Sequence, residues 1–163
     1  MKIGSLCHRE VVTVDATGSL TQAAALMREH HVGALVVTSH AADGPHVRGI
    51  VTDRDLVIEV LARGIDPAGV GVGEVASRHV ASVDEDDDLV VAIATMQSAG
   101  VRRLLVTDAE RRLVGLVSLD DLTSACAAQI EGLAVVMRSG PQRERAAGPP
   151  AVSQRLRVPP MGG

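Results

Sequence analysis

The chain has 163 residues, 46% of them apolar, enough for one domain or two small fused units around a real core. It contains no Phe, Tyr or Trp, so that core must be built from Val, Leu, Ile, Ala and Met, and the aromatic platforms that stack single-stranded bases are excluded. The net charge of −4 is uneven: residues 138–163 hold five arginines and one glutamate, which leaves −8 on residues 1–137 and argues against non-specific nucleic-acid binding by that body.

No apolar run approaches the roughly eighteen residues of a membrane span, and Met1-Lys2-Ile3-Gly4-Ser5 has no signal-peptide core. Cys7 and Cys126 have no CxxC spacing and read as thiols. These features predict a cytoplasmic protein. A nucleotide ligand stays open, because aliphatic walls can sandwich a purine.

In chain order, Val11–Asp15 reads as extended. Ser19-Leu20-Thr21-Gln22 then has the form of a capping box, and Leu20, Ala23, Ala24 and Met27 recur at helical spacing. Strands follow at Ala34–Thr38 and Val47–Val51, then a helix over about Asp53–Ala62 stopped by Gly64. Gly64–Gly73 is rich in Gly and Pro and links this unit to a second one. The second unit repeats the order: extended Val80–Asp84, a helix carrying Leu89, Ile93 and Met96, strands Leu104–Thr107 and Leu113–Val117, and a helix from about Leu119 with a weak point at Gly132. Residues 13–38 align with 82–107 at a constant offset of 69, ten of 26 positions being identical. The acidic run Asp84–Asp88 reads as a charged helix cap rather than a metal site. Histidines His30-His31 read as a helix C-terminus, where partial positive charge is favourable. The predicted organisation is a first repeat over 1–66, a second over 67–137, and a disordered Arg-, Pro- and Gly-rich tail over 138–163.

One stretch occurs twice: Gly49-Ile50-Val51-Thr52-Asp53-Arg54-Asp55-Leu56 and Gly115-Leu116-Val117-Ser118-Leu119-Asp120-Asp121-Leu122. Each reads as strand, turn and helix start, with a hydroxyl and an aspartate three residues apart. That spacing is also a helix cap, in which the two side chains satisfy first-turn N–H groups. Its repetition within equivalent units gives a binding reading weight beside the capping one. No Ser/His/Asp constellation, P-loop or dinucleotide fingerprint is present, so no enzyme is predicted.

With a duplicated β-α-β-β-α unit carrying Gly-h-h-[Ser/Thr]-x-x-Asp in each copy, the chain resembles a tandem CBS-domain (cystathionine-β-synthase-type) pair over about residues 1–130. Met27–Leu35, Thr52-Asp53-Arg54-Asp55-Leu56 and Ile65-Asp66-Pro67 are similar to small stand-alone CBS-pair proteins of actinobacteria, which implies by analogy a stress- or hypoxia-linked role. The resemblance implies an α/β (α+β) fold of two repeats packed about a pseudo-two-fold axis, sheets face to face, with two clefts between them. It implies a ligand-binding set of Val12, Thr13, Thr52, Asp55, Val80, Ala81, Arg102, Arg103, Ser118 and Asp121. In that set the aspartates hold ribose hydroxyls, Thr52 and Ser118 lie near phosphate, Val12–Thr13 and Val80–Ala81 cradle the base, and Arg102 and Arg103 meet phosphate. The first repeat has Gly33 and Ala34 at the basic position. The residue chemistry agrees: a carboxylate suits a cis-diol and a guanidinium fork suits phosphate.

The expected function is a regulatory sensor without catalysis or required cofactor. It would bind an adenine nucleotide (AMP, ADP or ATP, with S-adenosylmethionine or NAD possible), form a homodimer through its apolar second helices and signal to a protein partner, without a metal, a membrane or nucleic acid. One tight site per chain is expected, with the cleft that receives the arginines left open. The alternatives are a structural stress protein with vestigial clefts acting by protein contact, and a nucleic-acid-associated protein acting through its arginine-rich tail.

Overall fold

A computed structural model of the chain describes residues 1–42 and 44–146, with side-chain surroundings through Arg138. It falls into two compact units, Met1–Thr123 and Ser124–Gly163. The first contains two three-stranded sheets: β1 (Thr13–Asp15), β2 (Ala34–Ala41) and β3 (Gly44–Thr52) in one, β4 (Ser82–Asp84), β5 (Arg103–Thr107) and β6 (Leu113–Ser118) in the other. In each sheet the first two strands are parallel and the last two antiparallel. The register shifts at Val37/Thr38 and again at Val106/Thr107, positions that are mates at the offset of 69. The expected β-α-β-β-α repeat is present twice.

Helix α1 (Leu20–His30) connects β1 to β2, and the equivalent helix of the second repeat, α4 (Leu89–Ala99), connects β4 to β5. Ser19 caps α1 by accepting from the Gln22 N–H, which is half of the expected capping box. Asp88 caps α4 through the Val90 and Val91 N–H groups, and Lys2 and Arg9 pair with Asp86 and Glu85, so the acidic run is a charged turn and cap. The buried stripes are narrower than the spacing predicts: Leu20, Ala23 and Met27 on α1, Ala92 and Met96 on α4, with Leu89 half-buried. Ala24 and its mate Ile93 are exposed, because each lies about 100° around the helix from the buried alanine before it.

The second helix of the first repeat differs from its expected form. Helix α2 (Asp53–Asp55) continues at once as a π-helix (Leu56–Leu61), whose wider winding shows in the bonds from Ala62 N–H to the Val57 carbonyl and from Ile65 N–H to the Val60 carbonyl. The run includes Val57, Ile58 and Val60, β-branched residues that crowd the preceding α-turn. Gly64 ends it at φ +65. After the one-turn helix α3 (Val72–Val75) and the second sheet, α5 (Leu119–Ala146) runs straight through Gly132, since one glycine costs only about 1 kcal/mol relative to alanine. Its bounds enter the stretch read as a tail; residues 147–163 lie outside the described residues. No helix among the described residues is long and apolar enough to cross a membrane.

Three apolar clusters hold the first unit together. One lies under each helix–sheet layer, around Leu35, Val37 and Val51 in the first repeat and Leu104, Val106 and Val117 in the second. The third joins the opposite sheet faces through Ala34, Val36, Ile50 and Leu105.

The two lead-in segments are exchanged. Ile3 is buried in the second repeat's cluster, and Val72 in the first repeat's. The Ile3 and Gly4 N–H groups bond the Asp87 and Glu85 carbonyls, while those of Val72 and Gly73 bond Gly18 and Ala16, each pair related by 69 residues. Further on, His8 bridges Leu116 in β6 and Ser77 bridges Ile50 in β3. The glycine that opens each repeated stretch follows from this crossing. A Cβ on Gly49 would stand 2.5 Å from the Ser77 carbonyl oxygen, and one on Gly115 2.7 Å from Cys7 Sγ and 2.9 Å from the His8 carbonyl oxygen.

His31 closes α1 in the left-handed conformation (φ 53), the place that Gly100 holds after α4. That conformation costs a residue with a Cβ about 1–2 kcal/mol, against the ~0.5–1 kcal/mol of chain entropy that glycine loses. His31→Gly is therefore expected to raise the unfolding free energy by about 0.5–1 kcal/mol in urea titrations; a loss of stability would show that the imidazole contributes more than its backbone costs.

Candidate functional site

The last strand of each sheet delivers its hydroxyl residue in extended conformation to the start of a helix. In the first repeat the Thr52 hydroxyl donates to Asp55 Oδ2 at 2.7 Å, and the Thr52 N–H donates to the same oxygen at 2.9 Å. The Asp55 N–H returns a bond to the Thr52 hydroxyl at 3.2 Å. Ser118 and Asp121 repeat the arrangement at 2.6, 2.8 and 3.3 Å. The capping geometry is fully made in both copies. It uses one oxygen of each carboxylate and leaves the other, Oδ1, for something else.

Two clefts receive these aspartates. The larger, about 390 Å³, is lined by Thr52 and Asp55, by Ser77 and His79 from the lead-in of the second repeat, and by Arg102 and Arg103 at the start of β5. Asp53, Arg54, Ser118, Leu119 and Asp120 complete its walls. The smaller, about 180 Å³, is lined by Ser118 and Asp121, by His8, Glu10, Val11 and Val12, and by Val32, Gly33 and Ala34, with Arg103 reaching it too. Arg102 and Arg103 thus stand with the Thr52–Asp55 pair of the opposite repeat, while Ser118 borders both clefts.

The remaining expected residues divide. Val12 lines the smaller cleft. Thr13 is an exposed strand residue that lines neither cleft. Val80 packs in the layer between the sheets and Ala81 against the second core, so it is their neighbour His79 that reaches the larger cleft. The site residues that pattern reading missed, chiefly His8, Ser77 and His79, come from the exchanged lead-ins. The offset of 69 was their signal, since it pairs His8 with Ser77 and Val11 with Val80.

Asp121 has one partner more than Asp55. His8 Nε2 lies 3.0 Å from its Oδ1. Burial, the largest influence on this carboxyl, pushes it up, but the Ser118 hydroxyl, the Ser118 N–H and the His8 ring together hold it below the usual carboxylate range. Cys7 and Cys126 are free thiols. Among the described residues no group of three or more His, Cys, Asp and Glu side chains could hold a metal ion.

The sequence matches the CBS domain model twice, over residues 3–62 and 72–128. The chain belongs to the CBS-domain family. It is a tandem CBS pair, and each matched segment spans an exchanged lead-in together with the strands and helices of its repeat. The uncharacterised protein MK0525 of Methanopyrus kandleri is 34% identical over 122 residues, 75% of this chain but 61% of that protein. Hypoxic response protein 1 of Mycobacterium tuberculosis is 38% identical over 112 residues, 69% of this chain and 76% of that protein. The crystal structure of Hypoxic Response Protein I, with two coordinated zinc ions, superposes with a TM-score of 0.63 at 35% identity, covering 76% of this chain and 98% of the other. A CBS domain protein of Pyrobaculum aerophilum complexed with AMP shares the fold at 24% identity, with a TM-score of 0.65 over 74% of this chain and 89% of that one. CBS pairs are regulatory modules as a class, and the fold and family of this chain place it among them.

The lowered Asp121 carboxyl has a consequence for stability. A carboxyl held lower in the folded than in the unfolded state adds stability above its unfolded value of about 3.9, and that stability is lost as pH falls through the folded value. The stability advantage of the wild type over Asp121→Asn, read from denaturant titrations, is expected to be full at pH 6 and to shrink below about pH 4. An advantage that grows on acidification would contradict this cause.

Proposed function

We propose that this CBS pair is a non-catalytic cytoplasmic sensor that binds one adenine nucleotide tightly per chain in the larger cleft and passes its occupancy to a protein partner. One observation carries the reading: the arginines of the second repeat line the same cleft as the Thr52–Asp55 pair of the first. In this reading Asp55 Oδ1 accepts the ribose hydroxyls, Thr52 lies near phosphate, Arg102 and Arg103 hold the phosphate, and the segment leading through Val80–Ala81 backs the base. The cleft volume falls within the ~300–1,000 Å³ usual for small-molecule sites. Such a ligand touches both repeats, so it favours whichever arrangement of the pair it fits better, and that difference in affinity is the signal. The role of Hypoxic response protein 1 is carried over by analogy as a stress-response setting.

Calorimetry with AMP is the test. The wild type is expected to show one tight site per chain. Asp55→Ala and Arg102→Ala should each weaken it about tenfold or more, the effect of one charged hydrogen bond, while Asp121→Ala leaves it intact. Two equal sites per chain, or full affinity in both Arg102→Ala and Arg103→Ala, would reject the assignment. Parallel titrations with ADP, ATP, S-adenosylmethionine and NAD rank the ligands.

A contact role is supported by a separate observation. On the π-helix Val60 is buried, but Val57, Ile58 and Leu61 are 50%, 48% and 69% exposed. A cluster of large apolar side chains in solvent marks an interface, and we place an isologous homodimer there. Light scattering at micromolar protein is expected to give twice the chain mass, and Leu61→Glu to halve it; a monomer mass for the wild type would reject the dimer.

A further inference from the structure

The two clefts are built on the same backbone. The His8 N–H and carbonyl bond those of Leu116 at 2.9 and 3.0 Å, and the Ser77 N–H and carbonyl bond those of Ile50 at 2.9 and 3.1 Å. Each places one side chain beside the capped aspartate of the repeat it crosses. At this shared position the repeats carry different residues, histidine facing Asp121 and serine on the Asp55 side. The imidazole is long enough to reach the carboxylate, and it does so at Oδ1, 3.0 Å away. Among the described residues nothing bonds Asp55 Oδ1.

We infer that His8 is a built-in competitor that occupies the diol-accepting oxygen of Asp121 and keeps the smaller cleft closed to a ribose. The inference rests on the nucleotide reading above and deepens it, since it assigns the inequality of the clefts to a residue outside the arginine position. With Oδ2 held by the Ser118 hydroxyl and N–H and Oδ1 by His8, the Asp121 carboxylate has a partner on each oxygen. Oδ1 can accept two hydrogen bonds, so a cis-diol that donates both hydroxyls to it competes with the ring for one of them. Asp55 asks no such exchange. The backbone pairing with Leu116 fixes the His8 main chain beside Asp121, within reach of its carboxylate. The same segment supplies Glu10, Val11 and Val12 to the cleft wall beside His8.

The probe is adenosine, which offers the diol without a phosphate and so does not depend on how the two clefts share Arg102 and Arg103. Backbone amide NMR follows Thr52 and Asp55 in one cleft and Ser118 and Asp121 in the other, in the wild type, in His8→Ser, which copies Ser77, and in His8→Ala as a second variant. In the wild type the Thr52 and Asp55 amides are expected to shift with adenosine while those of Ser118 and Asp121 saturate, if at all, only at the highest concentrations. In both variants Ser118 and Asp121 should respond with a dissociation constant lowered about two- to fivefold, the worth of one exposed ion-pair contact that no longer competes. Equal response at Ser118 and Asp121 in all three proteins, with Thr52 and Asp55 responding normally, overturns the role of His8 and leaves the larger site standing. Silence at all four amides in every protein overturns the nucleotide reading and this inference together.

Discussion

The fold depends on two backbone crossings that only glycine permits. The carbonyl oxygen of Ser77 passes so close to Gly49 that a Cβ would sit 2.5 Å away, and Cys7 and His8 press on Gly115 as closely. Overpacking at such a contact typically costs about 1–3 kcal/mol. What the glycines admit is an exchange, in which each repeat's opening segment buries its apolar anchor, Ile3 or Val72, in the core of the other repeat. The facing sheets are joined by the small cluster around Val36, Ile50 and Leu105, and the exchange adds main-chain hydrogen bonds that lock the pair. It also delivers the residues that line each cleft beside the capped aspartate.

The capping box is structure first, and the proposed site is built on what it leaves unused. A carboxylate that accepts from a hydroxyl and a backbone N–H through one oxygen has a fixed orientation, and its second oxygen is presented without further cost in side-chain freedom. A ligand that meets it finds the acceptor already in place, which is how preorganisation raises affinity. At Asp55 the cap takes one oxygen only, so the capping role and the proposed binding role do not compete.

How much of this was legible in the sequence varied with the range of the interaction. The repeat order, the strands and the caps at Ser19, Thr52, Asp88 and Ser118 follow from patterns a few residues long, and they are found where those patterns put them. The helix faces were read too wide because spacing shows which residues share a face and not how much of it a three-stranded sheet covers; Ala24 and Ile93 fell outside. The π-winding after Asp55 was hidden because no residue pattern marks it beyond an excess of β-branching. The exchanged lead-ins were missed for a different reason. Their partners are more than fifty residues away for Gly18 and over a hundred for His8, and no local pattern encodes that pairing. Extending the offset of 69 back to Ile3/Val72 and Gly4/Gly73 would have shown that the segments are equivalent, though still not that they cross.

The repeats keep alike what the backbone requires, and some of their differences fall at the clefts. Both keep the opening glycine, the capped aspartate, the strand irregularity and the left-handed helix end. Four of the unlike pairs stand at the clefts: Gly33 against Arg102, Ala34 against Arg103, Asp53 against Leu119 and His8 against Ser77. The first of these is coupled to the third. A Cβ on Gly33 would come within 3.2 Å of Asp53 Oδ2, so the bare backbone at 33 leaves room for a carboxylate that its mate position fills with leucine. Exchanging one partner alone would therefore crowd the carboxylate or leave its charge beside a shortened neighbour. Differences of this kind alter charge and reach without disturbing the main chain, so the symmetry of the fold is kept while that of the clefts is lost. A pair built on equal backbones thus arrives at one cleft that holds both arginines beside a capped aspartate and another whose capped aspartate already meets a histidine.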